Sequence, residues 1–202
     1  GARQGYPQFG EQLLVASPSV AAPAISQVAE NAGKLEVSAD ADKAFQTIKG
    51  EGFEVQFDMQ QGTINKLVYG GESVIVPGYG PRLNAFRAFV SNDNWCYQPW
   101  FANGLHNLKH RAENAQVIKE KNGNVKITCT VVSQAPNAAR LQSKNGRYDS
   151  GIHTLEENTD RPFGADDFKF TTNQIWTIYP DGSIELQAAI TSNNPGIVLA
   201  RL

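Results

Sequence analysis

Most of the chain from residue 34 onward consists of short runs in which apolar and polar residues alternate. The runs KLEVSA, AFQTIKG, FEVQFD, NKLVYG and ESVIVPG are each bounded by Gly, Asp or Pro. In FEVQFD, residues 53–58, the apolar residues alternate with Glu54, Gln56 and Asp58, which therefore point to the opposite face. This pattern predicts strands with one side in a core and the other in water.

Turn signals between the runs predict that these strands pair in an antiparallel way. Asn122-Gly123 separates AQVIKEK from NVKITCTVV, and PDG at 180–182 divides FKFTTNQIWTIYPDGSIELQAAITS. After PDG, we expect Ile184, Leu186 and Ala188 to continue the alternation. Helical spacing is confined to residues 95–105, where Cys96 and Trp100 share a face and Gly104 would end the helix. The sequence predicts an all-β sandwich with one or two short helices.

Two segments do not follow the alternating pattern. Residues 133–163 are polar and rich in turn dipeptides, and they predict a loop of about 30 residues that is functional, mobile or packed on a partner. Residues 1–33 contain a strand-like run, Gln12 to Ala16, followed by an Ala/Pro/Ser-rich stretch typical of an extended connector. We therefore expect a domain boundary near Gly33.

Composition and charge narrow the classes of partner. The chain has 202 residues, 41% of them hydrophobic, which is enough for a substantial core. The formal net charge is −2 and the charges are scattered, so nothing resembles the basic stripe of a nucleic-acid-binding protein. The longest apolar runs are far shorter than the roughly 20 residues that a membrane-spanning helix needs. We expect neither a nucleic-acid partner nor a membrane span.

The two cysteines predict no metal site. Cys96 lies in an aromatic-rich segment and Cys129 in the middle of an alternating strand, and neither has the spacing of a zinc ligand. We expect two reduced, buried thiols, because an unpaired cysteine behaves as a small hydrophobic residue. A single disulfide is the alternative.

Candidate catalytic groups are few. The acid pairs Glu156-Glu157 and Asp166-Asp167 are interpreted as surface charge, because neighbours on a strand face opposite ways. His106 and His110 lie four positions apart, as two metal ligands on a helix would, but the glutamate of an HExxH motif is missing. We interpret them as exposed or hydrogen-bonded histidines at the start of a strand. The GxSxG and GxGxxG motifs are also missing.

The segment PRLNAFRAFVSNDNWCYQPWFANGL, residues 81–105, is the densest in aromatic and polar side chains. Trp95, Tyr97, Trp100 and Phe101 suggest a platform on which sugar rings stack. Burial in a core or an interface is the favoured alternative, since aromatic side chains bury the most area. The polar run at 91–94 would need a dense hydrogen-bond network if it were buried.

The order of several motifs resembles a known family. FEVQFDMQQG, GPRLNAFRAFVSNDN, WFANGLHNL, IWTIYPDG and a final LARL follow one another as in the C-terminal, small-chain domain of family 2 glycoside hydrolases of the β-galactosidase type. The resemblance covers roughly residues 50 to 202. The matching positions are Phe53, Phe57, Asp58, Gly62, Arg82, Leu83, Asn84, Phe86, Arg87, Ala88, Asn92, Asp93, Trp100, Gly104, Leu105, Tyr179, Asp181 and Gly182.

The resemblance implies a large antiparallel two-sheet sandwich of the aldose-epimerase (galactose-mutarotase) type, present at 34–202 as an N-terminal part that is incomplete at the C-terminus. It implies that residues 1–33 are the end of a preceding immunoglobulin-like domain plus a linker. The catalytic glutamates of the family lie in an upstream TIM barrel, so no residue here inherits a catalytic role. The fragment is expected to be inactive alone, to shape the active-site mouth and to take part in assembly.

The resemblance also names candidate residues and partners. Arg87, Asn92, Asp93, Trp95 and Trp100 are candidates for the rim of a sugar pocket or for a structural motif. The chain departs from the family at 89–91, where Phe-Val-Ser replaces the usual Pro-Thr-Asp. The implied partners are the upstream domains, carbohydrate and further copies of the chain. No cofactor is expected in the fragment, and Mg²⁺ or Na⁺ is implied for a bacterial parent enzyme of the periplasm or the cytoplasm.

Two alternatives remain at the level of sequence. One is a free-standing carbohydrate-binding module whose ligand stacks on Trp95 and Trp100. The other is an epimerase-like enzyme in which His106 or His153 and one of Glu156 or Glu157 act as acid and base.

Overall fold

The computed structural model of the chain describes residues 33–90, 93, 96–143, 153–197 and 199. The predicted strand at 12–16 and the predicted connector lie outside these residues. Strands, helix and 3-10 helix within them follow in chain order: β1 (Glu36–Ala39), β2 (Phe45–Gly50), β3 (Phe53–Asp58), β4 (Thr63–Tyr69), β5 (Glu72–Ser73), α1 (Tyr97–Ala102), a 3-10 helix (Leu105–Asn107), β6 (Lys109–Lys119), β7 (Val125–Gln134), β8 (Asn137–Ser143), β9 (His153–Pro162), β10 (Phe170–Ile178) and β11 (Ile184–Ser192).

The first layer is a five-stranded antiparallel meander in the order β1-β2-β3-β4-β5. Val55 is fully buried on its inner face, as the alternation in β3 predicts. The predicted strand ESVIVPG shrinks to the two-residue β5, and Val74 and Val76 beyond it are 54% and 66% exposed. That part of the prediction is wrong, because the pairing with β4 ends at Ser73 and the two valines beyond it lie exposed.

The second layer is a four-stranded antiparallel sheet in the order β11-β10-β7-β6. Along β7, every second residue is buried, from Val125 to Ser133. The turns predicted at Asn122-Gly123 and at residues 180–182 join β6 to β7 and β10 to β11. Gly123 and Gly182 have φ angles of 91° and 87°, which only glycine adopts without cost.

The inner faces of the two layers form the main core. Phe57 of the first layer meets Trp176 of the second edge to face, with ring centroids 5.7 Å apart. The turn after β3 approaches the second layer so closely that a Cβ on Gly62 would lie 2.4 Å from Cγ2 of Val131. The predicted all-β sandwich is therefore confirmed.

A second, smaller core lies under residues 83–108. Trp100 of α1 is 1% exposed and belongs to a cluster with Leu105 and Phe170, the first residue of β10. Helix α1 lies within the range predicted from its spacing, and Gly104 follows it with a φ angle of 70°. A side chain at Gly104 would place its Cβ 2.1 Å from Cβ of Ala135, so this close approach also requires glycine.

The polar segment that predicted a loop of about 30 residues instead contains strands β8 and β9, which pair to form a two-stranded antiparallel ribbon. The loop prediction is wrong for a physical reason: most side chains of β9 are exposed, so no apolar face marks the strand in the sequence. Contacts between side chains of β8 and β9 stabilise the ribbon where an apolar face is missing. Arg140 lies opposite Glu156, and its Nε donates a hydrogen bond of 2.9 Å to the carboxylate.

The position of the Asp58 side chain also differs from the sequence prediction. The alternation in β3 predicts that its side chain faces water, but Asp58 is 7% exposed. Its Oδ1 accepts hydrogen bonds from the backbone N–H groups of Gln60 and Gln61, at 2.8 and 2.9 Å. The carboxylate thus closes the turn between β3 and β4, which is why burial does not leave it unsatisfied.

The structure also gives the state of the two cysteines and the lengths of the helices. Cys96 and Cys129 are free and buried, as predicted. Among the residues that the structure describes, no helix is long and apolar enough to cross a membrane.

Candidate functional site

Arg87 and Asp93 organise the aromatic segment. Nη1 and Nη2 of Arg87 donate hydrogen bonds of 2.7 and 3.0 Å to the two carboxylate oxygens of Asp93. The backbone N–H of Val90 donates a third, at 2.8 Å. These bonds, that of Arg87 first, hold the pKa of Asp93 below its usual value. The bonds hold Arg87, Val90 and Asp93 together.

The ring of Trp100 lies beneath this ion pair. The guanidinium carbon of Arg87 is 5.7 Å from the centroid of the Trp100 ring, which is within the range of a cation–π contact. Because Trp100 is 1% exposed, its ring offers no face to a sugar. Its burial favours the structural interpretation of Trp100 over a stacking platform. Asn92 and Trp95, the other two candidates, lie outside the described residues.

The neighbouring aromatic residues pack mainly on one another. Phe89 and Tyr97 stack with centroids 4.6 Å apart and planes inclined by 18°. Phe86 meets Phe101 edge to face at 5.4 Å. Phe101 is 5% exposed, so the segment fills the joint between the loop and α1.

The two neighbouring histidines have different surroundings. Nδ1 of His110 lies 2.9 Å from Oγ of Ser133, so this histidine is hydrogen-bonded as predicted. The side chain of His106 is 10% exposed, and neither ring nitrogen has a hydrogen-bond partner among the described residues. The prediction for His106, an exposed or hydrogen-bonded ring, is wrong. Tertiary packing explains the difference, because the rings of Phe101 and Phe86 lie 5.1 and 6.1 Å away.

His106 approaches one acid of the ribbon. Its Nε2 is 3.9 Å from Oε1 of Glu157, too far for a hydrogen bond. Burial lowers the pKa of His106, and the Glu157 carboxylate opposes that shift. The side chain of His153, the other histidine considered for acid-base chemistry, lies outside what the structure describes.

A cavity opens beside this pair, between α1 and the ribbon of β8 and β9. Its volume is about 370 Å³, within the range of roughly 300 to 1,000 Å³ common for small-molecule pockets. Three alanines of α1 and β8 line it together with Arg140, Glu156, Glu157 and Asn158. Sequence reasoning missed this cavity, because alanines carry no chemical signal and the ribbon was interpreted as a loop.

The acid pairs lie at the surface, as predicted. The side chains of Glu156 and Glu157 are 44% and 38% exposed. Glu156 accepts hydrogen bonds from Arg140 and Gln142. Asp166 is exposed, and Asp167 is half-buried with its carboxylate bonded to Arg161 and to the N–H of Gly164. Among the described residues, no group of three or more His, Cys, Asp or Glu side chains is arranged to hold a metal ion.

Comparison with known proteins identifies the family. No curated protein matches the chain. A family model described as beta galactosidase small chain matches residues 49–202, about three quarters of the sequence. The match has nearly the same limits as the resemblance seen in the motif order, and it contains both sheets from β3 onward. The chain therefore belongs to the β-galactosidase small chain family.

Proposed function

We propose that this chain is a non-catalytic part of a family 2 β-galactosidase, one that hydrolyses terminal β-galactosides with catalytic glutamates on another domain. The observation that supports it best is the family match over residues 49–202. Retaining hydrolysis needs two carboxyl groups about 5 to 5.5 Å apart, both free to act on one glycosidic bond. In the adjacent pair 156–157, the Glu156 carboxylate is already engaged by Arg140 and Gln142.

The role proposed for the sandwich is to support the mouth of the active site. Arg87, Asp93 and Trp100 are held in place by their ion pair and by burial of the Trp100 ring, which supports a role of these residues in positioning a neighbouring surface. Free-standing carbohydrate binding on Trp100 is less well supported, since that ring is buried.

The test is hydrolysis of 4-nitrophenyl β-D-galactoside. The purified chain alone should not turn over this substrate, whereas the chain together with the barrel-bearing polypeptide of its parent should. Saturable hydrolysis by the chain alone that disappears in Glu157→Gln would overturn the proposal.

The second part of the proposal is assembly, and β11 is the strand through which we propose that the chain makes its assembly contact. Leu186 and Ile190 pair with Trp176 and Thr172, so they point to the core side of the sheet. They are nevertheless 40% and 51% exposed. Among the described residues, strand β11 lies at the edge of the sheet and carries one charged residue, Glu185. The opposite edge strand, β6, carries four charged residues and a bulge.

A second copy of the chain is the partner that fits this edge. Charges and bulges protect an edge strand from pairing, and β11 lacks both over residues 186–192. Two copies of β11 can pair in antiparallel fashion without like charges facing each other along that stretch. We expect Leu186→Lys with Ile190→Lys to shift the protein from dimer to monomer in analytical ultracentrifugation. The matched control is Val74→Lys with Val76→Lys, in valines away from β11 that are more exposed than Leu186 and Ile190. An unchanged dimer in the β11 variant would contradict this contact.

A further inference from the structure

Part of the lining of the cavity between α1 and the ribbon of β8 and β9 is apolar. It consists of Ala102 of α1 and of Ala138 and Ala139 of β8. The side chains of these residues are methyl groups, which offer van der Waals contact and no hydrogen bonds. This part of the lining therefore suits the hydrocarbon portion of a ligand.

The rest of the lining carries a net negative charge. It contains one cationic and two anionic side chains, those of Arg140, Glu156 and Glu157. Nε of Arg140 lies 2.9 Å from Oε2 of Glu156, so these two charges form an ion pair. The charge that remains is the carboxylate of Glu157.

Within the part of the chain that the structure describes, Glu157 has only a distant partner. Nε2 of His106 is 3.9 Å from Oε1 of Glu157, which is too far for a hydrogen bond. The side chain of Glu157 is 38% exposed, so a ligand in the cavity can reach its carboxylate without any movement of the ribbon. Asn158 also lines the cavity, and its amide oxygen is a further acceptor.

These features select a cation that carries a hydrocarbon chain. The net charge of the lining would repel an anion, and a neutral ligand would leave the Glu157 carboxylate without a counter-charge. Arginine and lysine side chains have the matching form, because their hydrocarbon stems cover apolar surface while their charged ends reach polar groups. A guanidinium group fits better than an ammonium group, since its planar N–H groups can bind both oxygens of one carboxylate.

We propose that this cavity binds an alkylguanidinium ion, with its hydrocarbon chain on the three alanines and its guanidinium group on the carboxylate of Glu157 and the amide oxygen of Asn158. Arg140 stays paired with Glu156 and keeps the net charge of the lining at a single negative charge. The proposal does not rest on the proposed function, because it follows from the shape and the charge of the cavity.

Isothermal titration calorimetry of the full chain with n-butylguanidinium chloride tests the proposal. The matched neutral probe is n-butylurea, which has nearly the same shape and no charge. We expect saturable binding of n-butylguanidinium and binding of n-butylurea that is at least tenfold weaker. Glu157→Gln should weaken the binding of n-butylguanidinium by about tenfold, which corresponds to the loss of a hydrogen bond to a charged group.

A third probe distinguishes the two sources of an alkylguanidinium group. N-acetyl-L-arginine N-methylamide carries the same group between two peptide bonds, as an arginine of another polypeptide does. If its affinity equals that of n-butylguanidinium, the cavity is a guanidinium site that accepts an arginine side chain of a partner protein. If only n-butylguanidinium binds, the cavity is a guanidinium site for a free small molecule.

Two further variants serve as controls. Asp166→Asn removes an exposed acid outside the cavity and should leave binding unchanged. Ala102→Leu fills the apolar part of the lining at an exposed position of α1, so it should weaken binding although Glu157 is intact. This variant keeps the test decisive if Glu157→Gln does not fold, and near-ultraviolet circular dichroism checks the fold of each variant.

The proposal is overturned by any of three results. They are the absence of saturable binding of n-butylguanidinium, equal affinity for n-butylurea, and unchanged affinity in folded variants of the cavity. Hydrolysis of a galactoside enters none of these measurements, so this proposal and the proposed function can fail independently.

Discussion

The carboxylate of Asp93 receives both Nη atoms of Arg87, at 2.7 and 3.0 Å, and also the backbone N–H of Val90. An aspartate six positions from an arginine thus closes the loop that leads into α1. The same arginine lies over the ring of Trp100, so one ion pair joins the loop to the smaller core.

We expect Asp93→Asn to lower the melting temperature of the chain and to change its dependence on acid. The pKa of Asp93 is lowered in the folded state by its bond to Arg87, so its ionised form contributes stability above the pKa of the unfolded chain. That contribution disappears as the pH falls through the lower, folded-state pKa.

Thermal unfolding between neutral pH and about pH 3 measures this difference. The variant should be less stable at neutral pH, and its deficit should shrink as the pH falls. Arg111→Ala is the control, since it removes an ion pair with Glu113 in which the arginine is 68% exposed, and such pairs contribute little. Equal losses in both variants would show that the Arg87 bond has no special role.

Truncation of Trp100 tests whether it belongs to the core. Trp100→Ala should lower the free energy of unfolding by about 3 to 5 kcal/mol, as for other buried aromatic residues. Urea unfolding followed by circular dichroism gives the value. Tyr79→Ala provides the comparison, because Tyr79 is 78% exposed and its loss should cost less than about 0.5 kcal/mol. A similarly small loss for Trp100→Ala would point to a surface ring.

Gly62 should be more sensitive to substitution than a glycine of similar conformation in open space. Gly62 and Gly71 have φ angles of 69° and 89°, so alanine is strained at both by about 1 to 2 kcal/mol. Only at Gly62 does the new Cβ meet Val131, at 2.4 Å, which adds roughly 1 to 3 kcal/mol of overpacking. Chemical unfolding of both variants compares the costs. If Gly71→Ala lowered the free energy of unfolding more than Gly62→Ala does, this result would contradict the close approach of the two layers at Gly62.

The thiol of Cys129 should resist alkylation in the folded chain. Burial raises its pKa to about 11, so the reactive thiolate is scarce at pH 8. Iodoacetamide labelling followed by mass spectrometry should modify Cys129 slowly in buffer and rapidly in urea. Rapid labelling of Cys129 without denaturant would mean that β7 opens readily.

The sequence was informative where one face of a strand is buried. Strands β3, β7 and β10 show alternation because their inner side chains, such as Val55 and Ile127, pack between two layers. The turns were recognisable because glycine is required at positive φ, as at Gly123 and Gly182. The local sequence was therefore sufficient to predict these strands and turns.

Features that depend on distant contacts were missed. The ribbon of β8 and β9 has no apolar face, since its strands are held by pairs such as Arg140 with Glu156. The burial of His106 depends on Phe86 and Phe101, and its approach to Glu157 joins residues from separate elements. The spacing of residues along the chain does not show which side chains from separate elements come into contact.

The most direct test of the proposed function is the galactosidase assay of the chain with and without the barrel-bearing polypeptide that the proposal assigns to its parent enzyme. We predict no hydrolysis of 4-nitrophenyl β-D-galactoside by the chain alone and clear hydrolysis by the two together. Saturable hydrolysis by the chain alone, or no hydrolysis by the two polypeptides together, would contradict the account.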